Sequence, residues 1–467
     1  MSEPSPASKA QAAHAAAERA EEETLWDVAA QRYEAALSLI PGTSMAADEA
    51  DLLTALGRCY WNLSDARTAW RTLRRAIALY RDRDDGVGMA RATLEILRIW
   101  GPPDRQKSMA EEALEALGDR DAHLRSMLLW RARREDEALT LAREHGFDSV
   151  LIVEKERDAY GAYDDGRVED ANNVLRQVHE LHARSRNYQG AAGVLRYAGF
   201  ETMAMGLLDD GERWAAETVG YARKVHLRFT EQLALMDLVG VAFARCDFAR
   251  CETLIAERPA ETDFRGDLYR MWIAEFRGDL AAALALMVDP ERGGGATTAL
   301  SQTHAAAAGL LHHAGREDAA RHELEVWASV AREGQSFCDE APALADCLIS
   351  LGSDALVREI HDQFENRKAP VVYSTLQGRG EAYVRAVIAL RLGYRDHARD
   401  LFNAGLAWAD RERCPIDAGR CLQGLASVAA AAGDGASAAA DLDRAATIFK
   451  RHEATLYLDQ IAVARRR

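Results

Sequence analysis

The chain has 467 residues, 48% hydrophobic and 28% charged, a composition typical of a folded soluble protein. Its 74 acidic and 58 basic residues give a formal net charge of −16, which argues against nucleic acid as the main partner because phosphate neutralisation requires a basic face. No apolar run approaches about 18 residues, and the first residues lack the basic and apolar segments of a secretory signal, so we expect a cytoplasmic protein with no membrane association.

The N-terminal part predicts a disordered tail at residues 1–8, followed by paired helices. Between Ala29 and Pro41, small and aromatic residues alternate at helical spacing, and the proline ends the unit. The next unit, centred on Gly57, repeats this arrangement more clearly. Two helices approach closely only where Ala or Gly lies at their crossing and large residues fill the space beside it. The residues of this pattern are Leu56, Gly57, Tyr60, Ala69, Leu73 and Ala76.

This spacing resembles that of a tetratricopeptide repeat, a pair of helices that stacks on its neighbours. The same order, a turn residue followed by Ala and a large apolar residue, recurs along the chain with anchor alanines roughly 32 to 44 residues apart, against about 34 in a strict array. Repeats that match this pattern less well lie near Ala138, Cys251 and Leu356. The later turns and their anchors are Gly166 with Ala171, Asp210 with Ala215, Gly278 with Ala283, Gly315 with Ala320, Gly393 with Ala398, and Gly433 with Ala438.

The predicted fold class is therefore all-α, an α-α superhelix or solenoid of roughly eleven tetratricopeptide-like hairpins. We expect one array over residues 9–290 and a second over 297–464, continuous with the first. The glycine-rich stretch at 291–296 and the segment at 366–370 are the expected breaks. An unrelated all-helical bundle is the alternative, and the recurring spacing argues against it.

Motifs of catalysis and metal binding are absent from the sequence. Gly293–Gly295 lacks the lysine of a phosphate-binding loop, and the glycines at 86 and 88 lack the third glycine of a dinucleotide fingerprint. The histidines at 179 and 182 are three apart, unlike those of zinc proteases, and the seven cysteines follow no metal-binding spacing. We therefore expect no catalytic residues, no metal and no cofactor.

The candidate binding residues lie on the first helices of the hairpins, which line the concave face of such arrays. Arginine beside an aromatic residue suits a carboxylate or a peptide backbone next to an apolar side chain. The alternative for each residue is that it caps a helix, pairs with a nearby acid or packs between repeats. The candidates for partner binding are Arg58, Trp61, Asn62, Tyr383, Arg391, Arg420 and Gln423.

The C-terminal third carries a second resemblance, through segments that include 370–380, 389–393, 405–408, 414–417, 419–425 and 456–460. These segments resemble the repeat arrays of large bacterial signalling proteins, in which the array follows an ATPase module joined to a cyclase or a transcription regulator. The sequence shows neither the ATPase nor the effector. The resemblance implies a sensing or scaffolding role and no enzymatic activity.

Two functions remain open from the sequence. One is a non-enzymatic scaffold or adaptor that binds a partner protein or peptide in its concave groove, in bacterial signalling or regulation. The other is a regulatory solenoid that senses a small molecule across several repeats. A homodimer is an arrangement that the sequence allows, and an enzyme would need a site that no motif reveals.

Overall fold

The computed structural model describes residues 5–41, 48–63, 65–99, 103–185, 187–258, 264–287, 297–334, 337–367, 371–375 and 377–466. These residues are almost entirely α-helical, and consecutive helices joined by short turns pack against each other. The chain divides into two compact units. Unit 1 comprises Met1–Gly161, Asp170–Val194 and Thr218–Glu231, and unit 2 comprises Ala162–Glu169, Leu195–Glu217 and Gln232–Arg467.

Unit 1 begins with four helical hairpins whose apolar faces form its core. Their helices are α1 (Pro6–Glu22), α2 (Trp26–Leu39), α3 (Glu49–Asn62), α4 (Ala66–Asp82), α5 (Gly86–Ile96), α6 (Pro103–Leu117), α7 (Ala122–Arg131) and α8 (Glu135–His145). The next five helices contribute residues to both units. They are α9 (Asp148–Asp164), α10 (Val168–Arg184), α11 (Tyr188–Ala204), α12 (Leu208–Lys224) and α13 (Arg228–Ala244).

The rest of unit 2 continues the pattern. Its helices are α14 (Phe248–Ala256), α15 (Phe264–Phe276), α16 (Leu280–Ala285), α17 (Thr297–His313), α18 (Glu317–Gly334), α19 (Phe337–Glu340), α20 (Ala345–Leu351), α21 (Asp354–Asn366), α22 (Ala382–Arg391), α23 (Arg395–Glu412), α24 (Pro415–Ala431), α25 (Gly435–Arg451) and α26 (Thr455–Ala464). A 3₁₀ turn at Ala341–Leu344 joins α19 to α20.

Two short strands interrupt the helices of unit 2 between α21 and α22. β1 (Tyr373–Ser374) and β2 (Arg379–Gly380) pair antiparallel, with Tyr373 opposite Gly380. In the part of the chain that the structure describes, no helix has the length and apolarity needed to cross a bilayer. The predicted all-α array of helical hairpins is confirmed.

Close helix crossings occur where the sequence pattern predicts them. A Cβ atom added to Gly57 on α3 would lie 2.5 Å from Leu73 Cγ on α4, so only glycine allows this approach. Ala69, Leu73 and Ala76 are fully buried on the facing helix. The residues whose spacing predicted the hairpin are therefore the residues at which its two helices come into close contact.

Most of the described turns between consecutive helices contain a residue at positive φ. Predicted turn glycines adopt it, such as Gly315 at φ 70° and Gly433 at φ 81°. An aspartate often follows and caps the next helix, as Asp434 does by accepting from Ser437 N at 3.0 Å. Other turns place a residue with a side chain at positive φ, and these are Thr24, Asp84, Arg133, His226, Cys246, Arg413 and Glu453.

The expected array boundaries stay predictions. Residues 291–296, and residues 368–370 of the second expected break, lie outside the described residues. Helix α1 begins at Pro6, with Ser5 as its N-cap, earlier than the expected start of the array at residue 9.

Candidate functional site

Charged side chains link consecutive hairpins of unit 1. Arg58 on α3 donates from Nε to Glu21 on α1, and its Nη1 lies 3.3 Å from Glu95 Oε1 on α5. Arg98 donates to the other oxygen of Glu95 at 3.0 Å. Burial alone would lower the pKa of Arg58, but Glu95 and Glu21 raise it above its usual range, so the guanidinium stays charged.

A recess of about 480 Å³ opens beside these ion pairs. Amide side chains form part of its wall: Gln189 Nε2 donates to Asn62 Oδ1, and Asn187 Oδ1 accepts from Arg98 Nη2 at 3.1 Å. Trp26 also lines the recess; it is buried and donates from Nε1 to Val225 O at 3.2 Å. The residues that line this space, called the unit 1 recess below, are Glu18, Glu21, Glu22, Trp26, Arg58, Asn62, Arg98, Asn187, Tyr188 and Gln189.

Two of the three candidates from the Gly57 hairpin, Arg58 and Asn62, line the unit 1 recess. The third, Trp61, is 8% exposed and packs in the core, with its ring centroid 5.6 Å from that of Phe229. The structure therefore brings Arg58 and Asn62 together in the recess and places Trp61 in the hydrophobic core. Their role in partner binding stays a prediction.

Unit 2 contains a second line of polar side chains, one from each of several successive hairpins. Asp346 on α20 is its centre: Oδ2 lies 3.1 Å from His313 Nε2 on α17, and Oδ1 accepts from Tyr383 on α22 at 3.2 Å. Arg420 on α24 also donates to Oδ1. Glu275 on α15 extends the line beyond His313, whose Nδ1 lies 2.7 Å from Glu275 Oε1. These five residues are called the unit 2 polar column below.

Burial and charge shift the pKa values within this column strongly. Burial alone would lower the pKa of His313, but hydrogen bonds to Asp346 and Glu275 raise it to about 9. Burial alone would raise the pKa of Asp346, but Arg420 and His313 hold it well below its usual range. The column is therefore charged at neutral pH and pairs each charge internally.

Tyr383 and Arg420, two candidates from the sequence, meet in this column. The Arg420 guanidinium carbon lies 3.7 Å from the centroid of the Tyr383 ring, and both residues border a small cavity of about 10 Å³. Arg391 instead caps α20, donating to Leu348 O at 3.0 Å and Gly352 O at 2.8 Å. Gln423 Nε2 lies 3.5 Å from Tyr457 O. All four make intramolecular contacts, and their role in partner binding stays a prediction.

Sequence reasoning did not select Asn187, Tyr188 and Gln189, which complete the unit 1 recess. Gln189 is 127 positions from Asn62 along the chain. The spacing within one repeat carries no information about which distant hairpin it meets, so no signal in the sequence identifies these residues as part of the site.

Among the described residues, no group of three or more His, Cys, Asp or Glu side chains is arranged to hold a metal ion. His182, from the histidine pair noted in the sequence, lies with Nε2 3.0 Å from Glu156 Oε1 and is buried. Burial is the largest cause that raises the pKa of Cys251 to about 12, so its thiol is neutral.

Comparisons with known proteins give fold likeness only. No protein-family model and no curated protein matches the chain. Among solved structures, the chain is similar to the Cut9–Hcn1 hetero-tetramer of the APC/C, with 12% identity, a TM-score of 0.40, and coverage of 97% of this chain and 90% of that one.

Two further solved structures are also similar to the chain. Yeast Tom70 has 13% identity and a TM-score of 0.31 over 98% of this chain and 96% of that one. A Rap protein complexed with competence and sporulation factor has 10% identity and a TM-score of 0.22 over 77% and 78%. The repeated hairpins, their close crossings and their common turns are those of a tetratricopeptide-like helical array, and this chain is such an array.

Proposed function

We propose that this chain is a non-enzymatic scaffold or adaptor and that the unit 1 recess holds a segment of its protein or peptide partner. One observation carries the proposal. Asn62 is 2% exposed and Gln189 is half-buried, and their mutual hydrogen bond uses one group of each amide. The remaining groups, Asn62 Nδ2 and Gln189 Oε1, have no partner among the described residues.

A donor and an acceptor held side by side match the two polar groups of a peptide unit. Backbone groups of a bound segment would give both amide groups a partner, and a hydrogen bond of this kind contributes about 0.5–1.5 kcal/mol net. The neighbouring Arg58 is fixed by Glu21 and Glu95, which makes this wall of the recess rigid before the partner arrives.

The proposal includes a role in bacterial signalling or regulation in the cytoplasm, without enzymatic activity. The resemblance of the C-terminal segments to bacterial signalling arrays supports this role. A small-molecule sensor is the second candidate, because about 480 Å³ falls within the roughly 300–1,000 Å³ of ligand pockets.

The test is a binding screen of the full chain against an array of random peptides of about nine residues, long enough to span the recess when extended. We expect a subset to bind, and the double variant N62A/Q189A to weaken that binding about tenfold or more. The matched control is Q31A/N173A, which removes two exposed amides of unit 1.

Equal binding by N62A/Q189A and the unchanged chain would contradict a role for this recess. If no peptide binds but a metabolite raises the melting temperature of the chain, and N62A/Q189A abolishes that rise, the sensor is correct and the peptide scaffold is wrong.

A further inference from the structure

Helix α1 ends with an arrangement of charge that opposes its own dipole. Glu21 and Glu22 occupy its last turn, Glu23 is its C-cap, and Arg19 is the basic residue of that turn. The C-terminal end of a helix carries partial negative charge and is stabilised by cations, so carboxylates are unfavourable there. Such local conflicts are expected at functional sites.

Two of the α1 carboxylates face the unit 1 recess without a strong counter-charge. Glu22 is exposed and makes no ion pair among the described residues. Glu18 has His14 Nε2 at 3.4 Å, and its side chain is 60% exposed. The two arginines of the recess do not neutralise them, because Arg58 is held by Glu21 and Glu95, and Arg98 by Glu95 and Asn187.

We propose that the partner segment carries a lysine or arginine side chain that pairs with Glu18 and Glu22, while Asn62 and Gln189 bind the adjacent peptide group. This inference rests on the proposed function and names the class of partner. A cation at this end of α1 relieves the repulsion among its carboxylates and pairs with the helix dipole.

Other features of the recess and the chain favour a basic peptide segment. The ring of Tyr188, half-buried in the wall, offers a face for the cation or its aliphatic stem. The net charge of −16 attracts a basic segment over long range and repels an acidic one.

The experiment uses pooled peptides of the same length with a central Lys, Arg, Ser or Glu and mixed residues elsewhere, bound to the full chain. We expect the Lys and Arg pools to bind about tenfold more tightly than the Glu pool, with a preference that falls as salt rises. E18K/E22K should reverse the preference toward Glu. The control E115K/E144K makes the same charge change at exposed residues of unit 1 outside the recess and should leave the preference unchanged.

Loss of folding is separated from loss of recognition by E18Q/E22Q. This variant removes the repulsion at the end of α1, so we expect its melting temperature to equal or exceed that of the unchanged chain while its Lys preference disappears. A Lys preference that survives E18Q/E22Q would overturn the inference. Equal binding of all four pools would also overturn it, yet the proposed function would stand if N62A/Q189A still weakened that binding. Binding of no pool would contradict both.

Discussion

His313 and Asp346, on successive hairpins of unit 2, face each other with Nε2 3.1 Å from Oδ2. The second ring nitrogen, Nδ1, lies 2.7 Å from Glu275 Oε1. A buried imidazole between two carboxylates is stable only as the imidazolium, because both nitrogens must donate. The unit 2 polar column thus contains a titratable cation, His313.

The stability of unit 2 should therefore fall at alkaline pH. His313 has its pKa raised from 6.5 to about 9, so its contribution is fully present below pH 6.5 and is lost as pH rises through about 9. The contribution is at most about 3 kcal/mol. H313Q should lower the free energy of unfolding at neutral pH and have a smaller effect above pH 9, as measured by urea unfolding across this range.

The control for this pH dependence is H397Q, since the side chain of His397 is 42% exposed. It should unfold like the unchanged chain at each pH. An effect of H313Q that stays constant from neutral pH to above pH 9 would show that His313 contributes packing and no charge.

Asp346→Asn should be among the most destabilising single substitutions in unit 2. It removes the carboxylate that pairs with Arg420 and His313 and leaves two buried cations short of a counter-charge. Breaking a buried ion pair from one side costs about 3–5 kcal/mol. Chemical denaturation should show this loss for D346N and little change for D362N, whose side chain is 72% exposed.

Gly57→Ala tests the close crossing of α3 and α4. The new methyl group would lie 2.5 Å from Leu73 Cγ, and overpacking of this kind costs about 1–3 kcal/mol. Gly193 on α11 has no atom within 4 Å of an added Cβ, so G193A should raise stability by up to about 1 kcal/mol through helix propensity. Thermal unfolding of the two variants should move in opposite directions, and a stabilised G57A would refute the crossing.

Alanine substitutions at Gly433 and Gly435, two residues apart, distinguish the effect of backbone conformation on stability from the effect of packing. Neither meets an atom within 4 Å of an added Cβ, but Gly433 has φ 81° whereas Gly435 begins α25. G433A should destabilise the chain by about 1 kcal/mol because alanine disfavours positive φ. G435A should be neutral or stabilising by calorimetry, and equal shifts for both would argue against a left-handed turn at Gly433.

The hairpins could be predicted from the sequence because the residues that identify each hairpin lie close together along the chain. Gly57, Ala69 and Leu73 belong to one helix pair, and each position follows from the crossing of two neighbouring helices. Turns such as those at Thr24 and Arg413 were harder to predict, since a residue with a side chain occupies the conformation that glycine marks elsewhere.

Only part of the candidate site, the residues contributed by α3, could be predicted from the sequence. Position within the repeat selected Arg58 and Asn62, which line the unit 1 recess. Gln189 could not be selected, because its contact with Asn62 depends on rotations accumulated over the intervening helices. Nor could the sequence tell that Arg391 binds the carbonyl groups at the end of α20.

Hairpin arrays in which each hairpin touches only its neighbours can lose terminal hairpins one at a time. Asp346 on α20 accepts from Gln460 on α26 at 3.4 Å as well as from Arg420 on α24, so one carboxylate joins helices several hairpins apart. Detachment of α26 would therefore expose a charge in the middle of unit 2. We expect fraying from the C-terminus to be suppressed, and amide hydrogens from α17 to α26 to exchange together in one cooperative opening.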